Sequence, residues 1–434
     1  MSLVTPFASA ISSPAQDYIN RDFGNTNSML ATLSVTIYLL GYAIGPLFLA
    51  PLSEIYGRKP VLSAANFFFC FWQIGCALSP NMSALIVFRF LAGVGGSGSL
   101  TLGGGVISDV FTVDQRGTAM GVYVAGPLLG PALGPLVGGF VVVDLGWRWV
   151  FWLVLIVGSI LSVLYQLLTP ETNHHVLIQR KVVKLERSLG QGELKSCYLA
   201  LQPSSDAKQR LIQGLTRPIK LLILSPLVFS LSLYIAFTYG VMYLLFTTIP
   251  QVFRNTYGFD IQIAGLVYIA LGVGNMIGWA VVTLFSDKSV AYKIKAGGGV
   301  FVPEMRLYLT IGFSLLLPIT FFWYGWSTYT EISYFSAIFS LIPFGVGIVG
   351  VSIPIMTYLV DAYTEYAASA LAASTVFRSL GGMLLPLAGR KMYASLGLAW
   401  GNCLLGFICM GLIPVPWLIY KYGATLRAKT KMKL

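Results

Sequence analysis

Charge is what this sequence has least of. Asp, Glu, Lys and Arg make up only 10% of its 434 residues, where a soluble domain carries about 25%. Against that, 56% of the residues are hydrophobic and the mean hydropathy is +0.76. Water-soluble cores stop growing at roughly 250–300 residues, so a single globular core is excluded. Histidine is nearly missing. His174 and His175 are adjacent in a polar stretch and read as a solvated pair, so no metal site is expected. The five cysteines form no disulfide framework, because Cys70, Cys76, Cys403 and Cys409 lie in apolar runs and Cys197 in a polar one. There is no Gly-x-x-x-x-Gly-Lys-Ser/Thr nucleotide loop and no catalytic constellation. Neither an enzyme nor an ATP-driven pump is expected, and no cofactor is implied. The net charge of +12 does not indicate nucleic acid, since the basic residues sit between apolar stretches and not across a soluble face.

Long apolar runs are what the chain has instead. A hydrocarbon core takes about 20 apolar residues per helix, and lipid leaves the backbone no partner outside its own segment. Eleven helical spans follow, at 28–52, 61–79, 84–108, 118–140, 147–168, 221–249, 261–285, 307–325, 332–358, 367–389 and 398–420. Residues 1–13 resemble the end of a twelfth. They are too short to cross and lack the basic region of a signal peptide, so the first span is expected to be truncated. Of the 28 basic residues, 21 fall in one set of alternating breaks and five in the other. The richer set is then cytoplasmic. Both chain ends face the cytoplasm, which requires an even number of spans and agrees with a twelfth. The longest break divides the chain into a first half (1–168), a cytoplasmic linker (169–220), a second half (221–420) and a basic tail (421–434). Paired halves around a midplane site are a transporter plan.

Three segments carry specific chemistry. Ala50-Pro-Leu-Ser-Glu-Ile-Tyr-Gly-Arg-Lys-Pro60 joins two spans. Gly57 permits the turn, and Glu54 can pair with Arg58 to latch one conformation; the simpler reading is that Arg58 and Lys59 only set topology. Next, Arg89-Phe-Leu-Ala-Gly-Val-Gly-Gly-Ser-Gly-Ser99 places an arginine inside a span, where it must face a polar cavity or cap helix carbonyls. The third is Gly121-Val-Tyr-Val-Ala-Gly-Pro-Leu-Leu-Gly-Pro-Ala-Leu-Gly-Pro-Leu-Val-Gly-Gly139. Gly126, Gly130, Gly134 and Gly138 form one smooth face. Pro127, Pro131 and Pro135 each remove a helix hydrogen bond, which a simple Gly-x-x-x-Gly dimer face does not explain.

These segments resemble the major facilitator superfamily. The first is similar to its signature loop between spans 2 and 3, with Leu52, Gly57, Arg58 and Lys59 matching and Glu54, Ala50 and Ile55 departing. The second is similar to its span-4 motif, and the third to the antiporter motif found in exporters. Tyr234-Ile-Ala-Phe-Thr-Tyr-Gly-Val-Met-Tyr-Leu-Leu-Phe246, Tyr358-Leu-Val-Asp-Ala-Tyr-Thr-Glu-Tyr366, Arg378, Gly381-Gly382 and Pro170-Glu-Thr-Asn173 extend the likeness to fungal twelve-span drug:proton antiporters. The resemblance implies an all-α membrane protein of two pseudo-symmetric six-helix halves. It further implies a latch of Glu54, Gly57, Arg58, Lys59 and Asp109, and proton coupling by Arg89 and Asp109. Tyr123, Tyr234, Phe237, Tyr239, Tyr243 and Arg378 are the candidate cavity wall, with helix packing as the alternative for the aromatics. The expected activity is efflux of a small, largely apolar drug, toxin or secondary metabolite in exchange for protons, by a monomer in the plasma membrane. Two other readings remain. Arg89 and Arg378, with no acid at a span centre, would suit an organic anion, and a truncated first span would suit a non-transporting homologue. No carboxylate among the 16 acidic residues lies at a span centre, so the proton carrier is either Asp109, another span-end acid, or absent with the start of span 1.

Overall fold

Apolar runs bounded by glycine and by capping side chains set the helix limits. The computed structural model describes residues 1–189, 207–296, 300–329 and 333–429. Linker residues 190–206, with Cys197, and tail residues 430–434 lie outside that description. Two short helices come first, α1 (Val4–Ala10) and α2 (Gln16–Asp22). The first half continues with α3 (Ser28–Tyr56), α4 (Arg58–Ala77), α5 (Met82–Val110), α6 (Val113–Leu145) and α7 (Trp147–Leu168). The described parts of the expected linker are helical, as α8 (His174–Leu189) and α9 (Ala207–Leu224). The second half holds α10 (Pro226–Tyr257), then α11 (Ile261–Leu266) with α12 (Tyr268–Ala296), α13 (Leu307–Ser314) with α14 (Leu316–Tyr329), and α15 (Tyr334–Phe339) with α16 (Leu341–Ala362). It closes with α17 (Ala367–Leu412) and α18 (Pro414–Lys429).

Among the described residues ten helices are long and apolar enough to cross a membrane, the last running over Ala367–Arg427. That last one holds the two expected spans 367–389 and 398–420, because Gly397 (φ 73°, ψ 174°) turns the chain in a conformation open mainly to glycine. Elsewhere the ends are set locally. Asn27 accepts from the Met29 N–H at 2.9 Å and Asn81 from the Ala84 N–H at 2.8 Å, capping α3 and α5. Gly57 at φ 107° breaks α3 from α4.

The start of the chain is an interior element. Val4, Thr5, Pro6, Ala8, Ser9 and Ala10 of α1 are buried. At 1.5 Å per residue, its seven residues cover about a third of a hydrocarbon core. Its dock is the glycine face of α6. A Cβ on Gly130 would meet the Leu3 carbonyl at 2.7 Å, and one on Gly134 the Phe7 carbonyl, also at 2.7 Å. Gly126 faces Ser2 and Leu3, and Gly138 faces Ile11. The four-residue glycine repeat thus matches α1 turn for turn, backbone against backbone. The far side of α6 meets the second half: Gly139 lies against Ile261 and Gln262, and Asn275 donates to the Leu128 carbonyl at 3.3 Å.

Polar bonds between the halves, among the described residues, lie at mid-depth and on the face opposite the basic breaks. There Arg390 donates to Gln16 at 2.5 Å, Arg254 pairs with Asp17 at 3.5 Å, Gln262 donates to Asp144 at 3.3 Å, and Ser13 donates to the Phe246 carbonyl. On the same face Arg148 donates to Asp22 at 2.6 Å and holds its carboxyl below the usual carboxylate range. Gly134→Ala should therefore destabilise the protein by about 1–3 kcal/mol through overpacking against α1. Gly104→Ala, whose Cβ would meet only Met120 at 3.9 Å, should leave the thermal unfolding midpoint in detergent unchanged.

Candidate functional site

Arg89 on α5 is fully buried. Its guanidinium donates to four backbone carbonyls, from Nη1 to Ala8 at 2.7 Å, Nη2 to Ser9 at 2.8 Å, Nε to Ser34 at 3.1 Å and Nη2 to Val35 at 3.1 Å. The Tyr38 ring lies 4.8 Å from its Cζ, adding a cation–π contact. Ala8 and Ser9 are in the last turn of α1, where carbonyls have no intrahelical donor. The arginine therefore caps one helix and binds the side of another. None of its four hydrogen-bond acceptors titrates, so these bonds hold helices together and carry no proton themselves. The bond network crosses to the second half: the Ser9 hydroxyl lies 2.6 Å from the Tyr243 hydroxyl on α10.

On the basic face the structure brings Arg58 and Asp109 together, Nε to Oδ2 at 3.3 Å. Arg58 Nη1 also donates to the Ser53 hydroxyl at 2.6 Å. Glu54 does not join them. It is exposed, and the side-chain pairing with Arg58 expected of it is made by Asp109; a second carboxylate, from much further along the chain, binds the backbone at this turn. Glu171 accepts from the backbone N–H groups of Arg58 at 2.8 Å and Lys59 at 3.2 Å, and from those of Thr172 at 3.0 Å and Asn173 at 2.9 Å. The reason is geometric. The break at Gly57 leaves the first N–H groups of α4 without acceptors, and a carboxylate placed on a helix N-terminus satisfies both hydrogen bonding and the helix dipole. Glu54, one turn back on α3, is on the wrong side of that break. The Nε2 of His174, expected to be merely solvated, lies 3.0 Å from the Asp109 carbonyl oxygen. Every polar partner of Arg58 and Asp109 among the described residues belongs to the first half or, as Glu171 and His174, to the start of the linker that follows it, so this cluster does not itself bridge the two halves.

A twin of this pair went unrecognised in the sequence. Arg306, at the head of the span containing α13, meets Asp361, at the end of α16, again Nε to Oδ2, at 3.0 Å. Arg306 also pairs with Asp287 at 2.7 Å. The available signal was positional: Arg306 stands to Asp361 as Arg58 stands to Asp109, one half-chain later.

The expected cavity wall divides. Tyr239 and Tyr243 face the centre, their rings 5.2 Å apart, and the Tyr38–Tyr42 pair, 5.0 Å apart, faces them from the first half. Phe237 is half-buried. The Tyr123 ring sits on Gly103 and its hydroxyl donates to the carbonyls of Leu100 at 2.8 Å and Ser99 at 3.1 Å. Tyr234 does not belong to the wall. It is fully buried beside Ser314 and Cys409 of its own half. Five residues from Tyr239 is a rotation of about 140° around α10, so the two cannot share a face. Arg378 on α17 lies over the Tyr239 ring, its Cζ 4.8 Å from the centroid.

Residues 1–386 match the Major Facilitator Superfamily, and the chain belongs to that family. It is 47% identical over 434 residues to the MFS transporter cpaT of Aspergillus oryzae, covering 100% of this chain and 87% of that protein. It is 42% identical over 434 residues to the MFS-type transporter penM of Penicillium rubens, covering 100% of this chain and 85% of that protein. Among solved structures, the xylose transporter XylE from E. coli in a partially occluded inward open conformation aligns with a TM-score of 0.72 at 19% identity, covering 97% of this chain and 95% of that one. A D-xylose-proton symporter aligns with a TM-score of 0.70 at 17% identity, covering 96% of both chains. At such identities the likeness is one of fold. The fold and the relatives together make this chain a multi-pass membrane protein of the transporter class and not an enzyme.

The carboxylate assignment on the basic face has a direct check. Glu171→Ala should lower stability by about 1–2 kcal/mol through loss of the α4 cap, whereas Glu54→Ala should stay within about 0.5 kcal/mol of wild type. Paired thermal unfolding curves in detergent distinguish them.

Proposed function

We propose that the protein exports a small, largely apolar metabolite, drug or toxin in exchange for protons, by alternating access between its two halves. The observation that carries this reading is the position of α6. Its glycine face holds α1 and its other face meets α11 and α12, so the helix that resembles the exporters' antiporter motif lies on the seam along which the halves must rock. The fungal relatives, named as transporters, support a transport activity. In this reading the polar bonds on the face opposite the basic breaks describe a conformation closed to the outside. Both chain ends lie in the cytoplasm, the membrane is the plasma membrane, and the protein acts as a monomer.

Coupling is assigned to the basic-face cluster. Arg58 and Asp109 are both partly accessible, with side-chain exposures of 17% and 18%, so protons can reach the carboxylate from the aqueous side. Protonating Asp109 would remove a charge-assisted partner of Arg58 and loosen the brace on α4 and α5. The arginine itself cannot carry the proton.

Inside-out vesicles loaded with the protein should accumulate an apolar fluorescent probe, either neutral Nile red or the acidic dansylaminoundecanoate, when energised. Collapsing the pH gradient should abolish that accumulation, and Asp109→Asn should slow it at least tenfold. Accumulation that persists after collapse contradicts the antiport reading.

A further inference from the structure

Two arginines lie inside the membrane span of this protein, and their surroundings are opposite. Arg89 spends its donors on four carbonyls. Arg378 makes no hydrogen bond and no ion pair among the described residues: its Nε is buried without a partner, and its two terminal nitrogens are bonded to nothing while remaining accessible. Its guanidinium lies over the face of Tyr239, with Cζ 4.8 Å from the ring centroid. A cation held in the bilayer interior without a counter-ion is costly, and such residues mark functional pathways.

The position of Arg378 says which pathway. It lies eleven residues into α17, or about 16 Å from the basic-face end of that helix, close to the middle of the span. Ser374, Arg378 and Gly382 follow one another at four-residue intervals and share a helix face. Gly382 at one end of this stripe lies against Leu39 of the first half, where a Cβ would meet Leu39 Cδ1 at 2.7 Å. Arg378 also lies within electrostatic reach of Tyr123 on α6. The stripe therefore faces the seam between the halves. Ser374 at its other end is buried with an unpaired hydroxyl. The surroundings are otherwise aromatic and apolar, and none of the 16 acidic residues lies at a span centre to neutralise the charge.

The geometry points to a cargo that brings its own negative charge: an apolar organic acid whose carboxylate or enolate takes the forked donors of Arg378, with the Ser374 hydroxyl as a second donor and the Tyr239 ring against its apolar body. This rests on the export reading above and narrows its substrate class. A bidentate guanidinium–acid contact is strong where water is scarce, whereas the neutral carboxamide offers a single acceptor oxygen and leaves the charge of Arg378 uncompensated. The direction of transport agrees, since an anion leaving an inside-negative cell moves down the electrical gradient.

The test is binding, which does not depend on transport. The full chain in nanodiscs of neutral lipid is titrated with three aryl acids of increasing size, naphthylacetate, biphenylacetate and pyrenebutyrate, each against its own carboxamide, and the thermal unfolding midpoint is followed. At least one acid should bind tenfold or more tightly than its amide. Arg378→Gln should bring that ratio to near one through loss of acid binding, and Arg378→Lys, which keeps the charge without the fork, should reduce the ratio without abolishing it. If none of the three acids is preferred in the wild type, or if the preference survives in Arg378→Gln, the proposal is overturned. Should Arg378→Gln fail to fold, the wild-type ratios and Arg378→Lys still decide. Acid-selective binding without gradient-driven accumulation would instead overturn the export reading and leave this site standing.

Discussion

A guanidinium in the middle of a helical membrane protein has five N–H donors and no water to give them to. In this chain Arg89 resolves that problem with backbone, and much of the first half is arranged around the solution. Its bonds to Ala8 and Ser9 end α1, and its bonds to Ser34 and Val35 fix the depth of α3. Because Ser9 also meets Tyr243, the same contact reaches the second half. α1 is held in place by a charged donor that caps its last turn and by the glycines of α6, which receive its backbone at close range.

That pair of constraints accounts for the unusual composition of α6. Glycine every fourth residue makes room for α1, and the prolines between them take away N–H groups at positions where the helix is held from both sides. The Leu128 carbonyl accepts from Asn275 across the seam, so one acceptor within the proline-rich stretch is bound by the opposite half. α6 thus presents a smooth glycine surface to α1 on one side and polar and close backbone contacts to the second half on the other.

Much of this was legible in the sequence, and the exceptions share a cause. Span positions, the two halves and the family could be read because lipid forces backbone bonds to stay within a segment, which makes hydropathy a nearly direct record of structure. The glycine face was legible as a face, but nothing in its spacing said that α1 would occupy it. Arg89 had two sequence readings, a polar cavity or a carbonyl cap, and only the fold could choose. Glu171 was passed over as the acceptor at α4, since that role depends on a loop returning from the end of α7. Glu54 was expected to pair with the Arg58 side chain because it stands where the family loop has an aspartate, but Asp109 makes that pair. Tyr234 was assigned to the cavity for lying near glycines on a span expected to line the centre, although helix periodicity alone excludes it from the face of Tyr239. The Arg306–Asp361 twin became visible only when the halves were compared position by position.

The packing of α1 and α3 depends on Arg89 acting as a clasp. Hydrogen–deuterium exchange on wild type and Arg89→Lys tests this most directly, because lysine keeps the charge but cannot reach four carbonyls at once. Backbone amides in residues 4–13 and 28–38 should exchange at least tenfold faster in the variant, with α14 and α18 unchanged. Equal protection of α1 and α3 in both proteins would contradict the account.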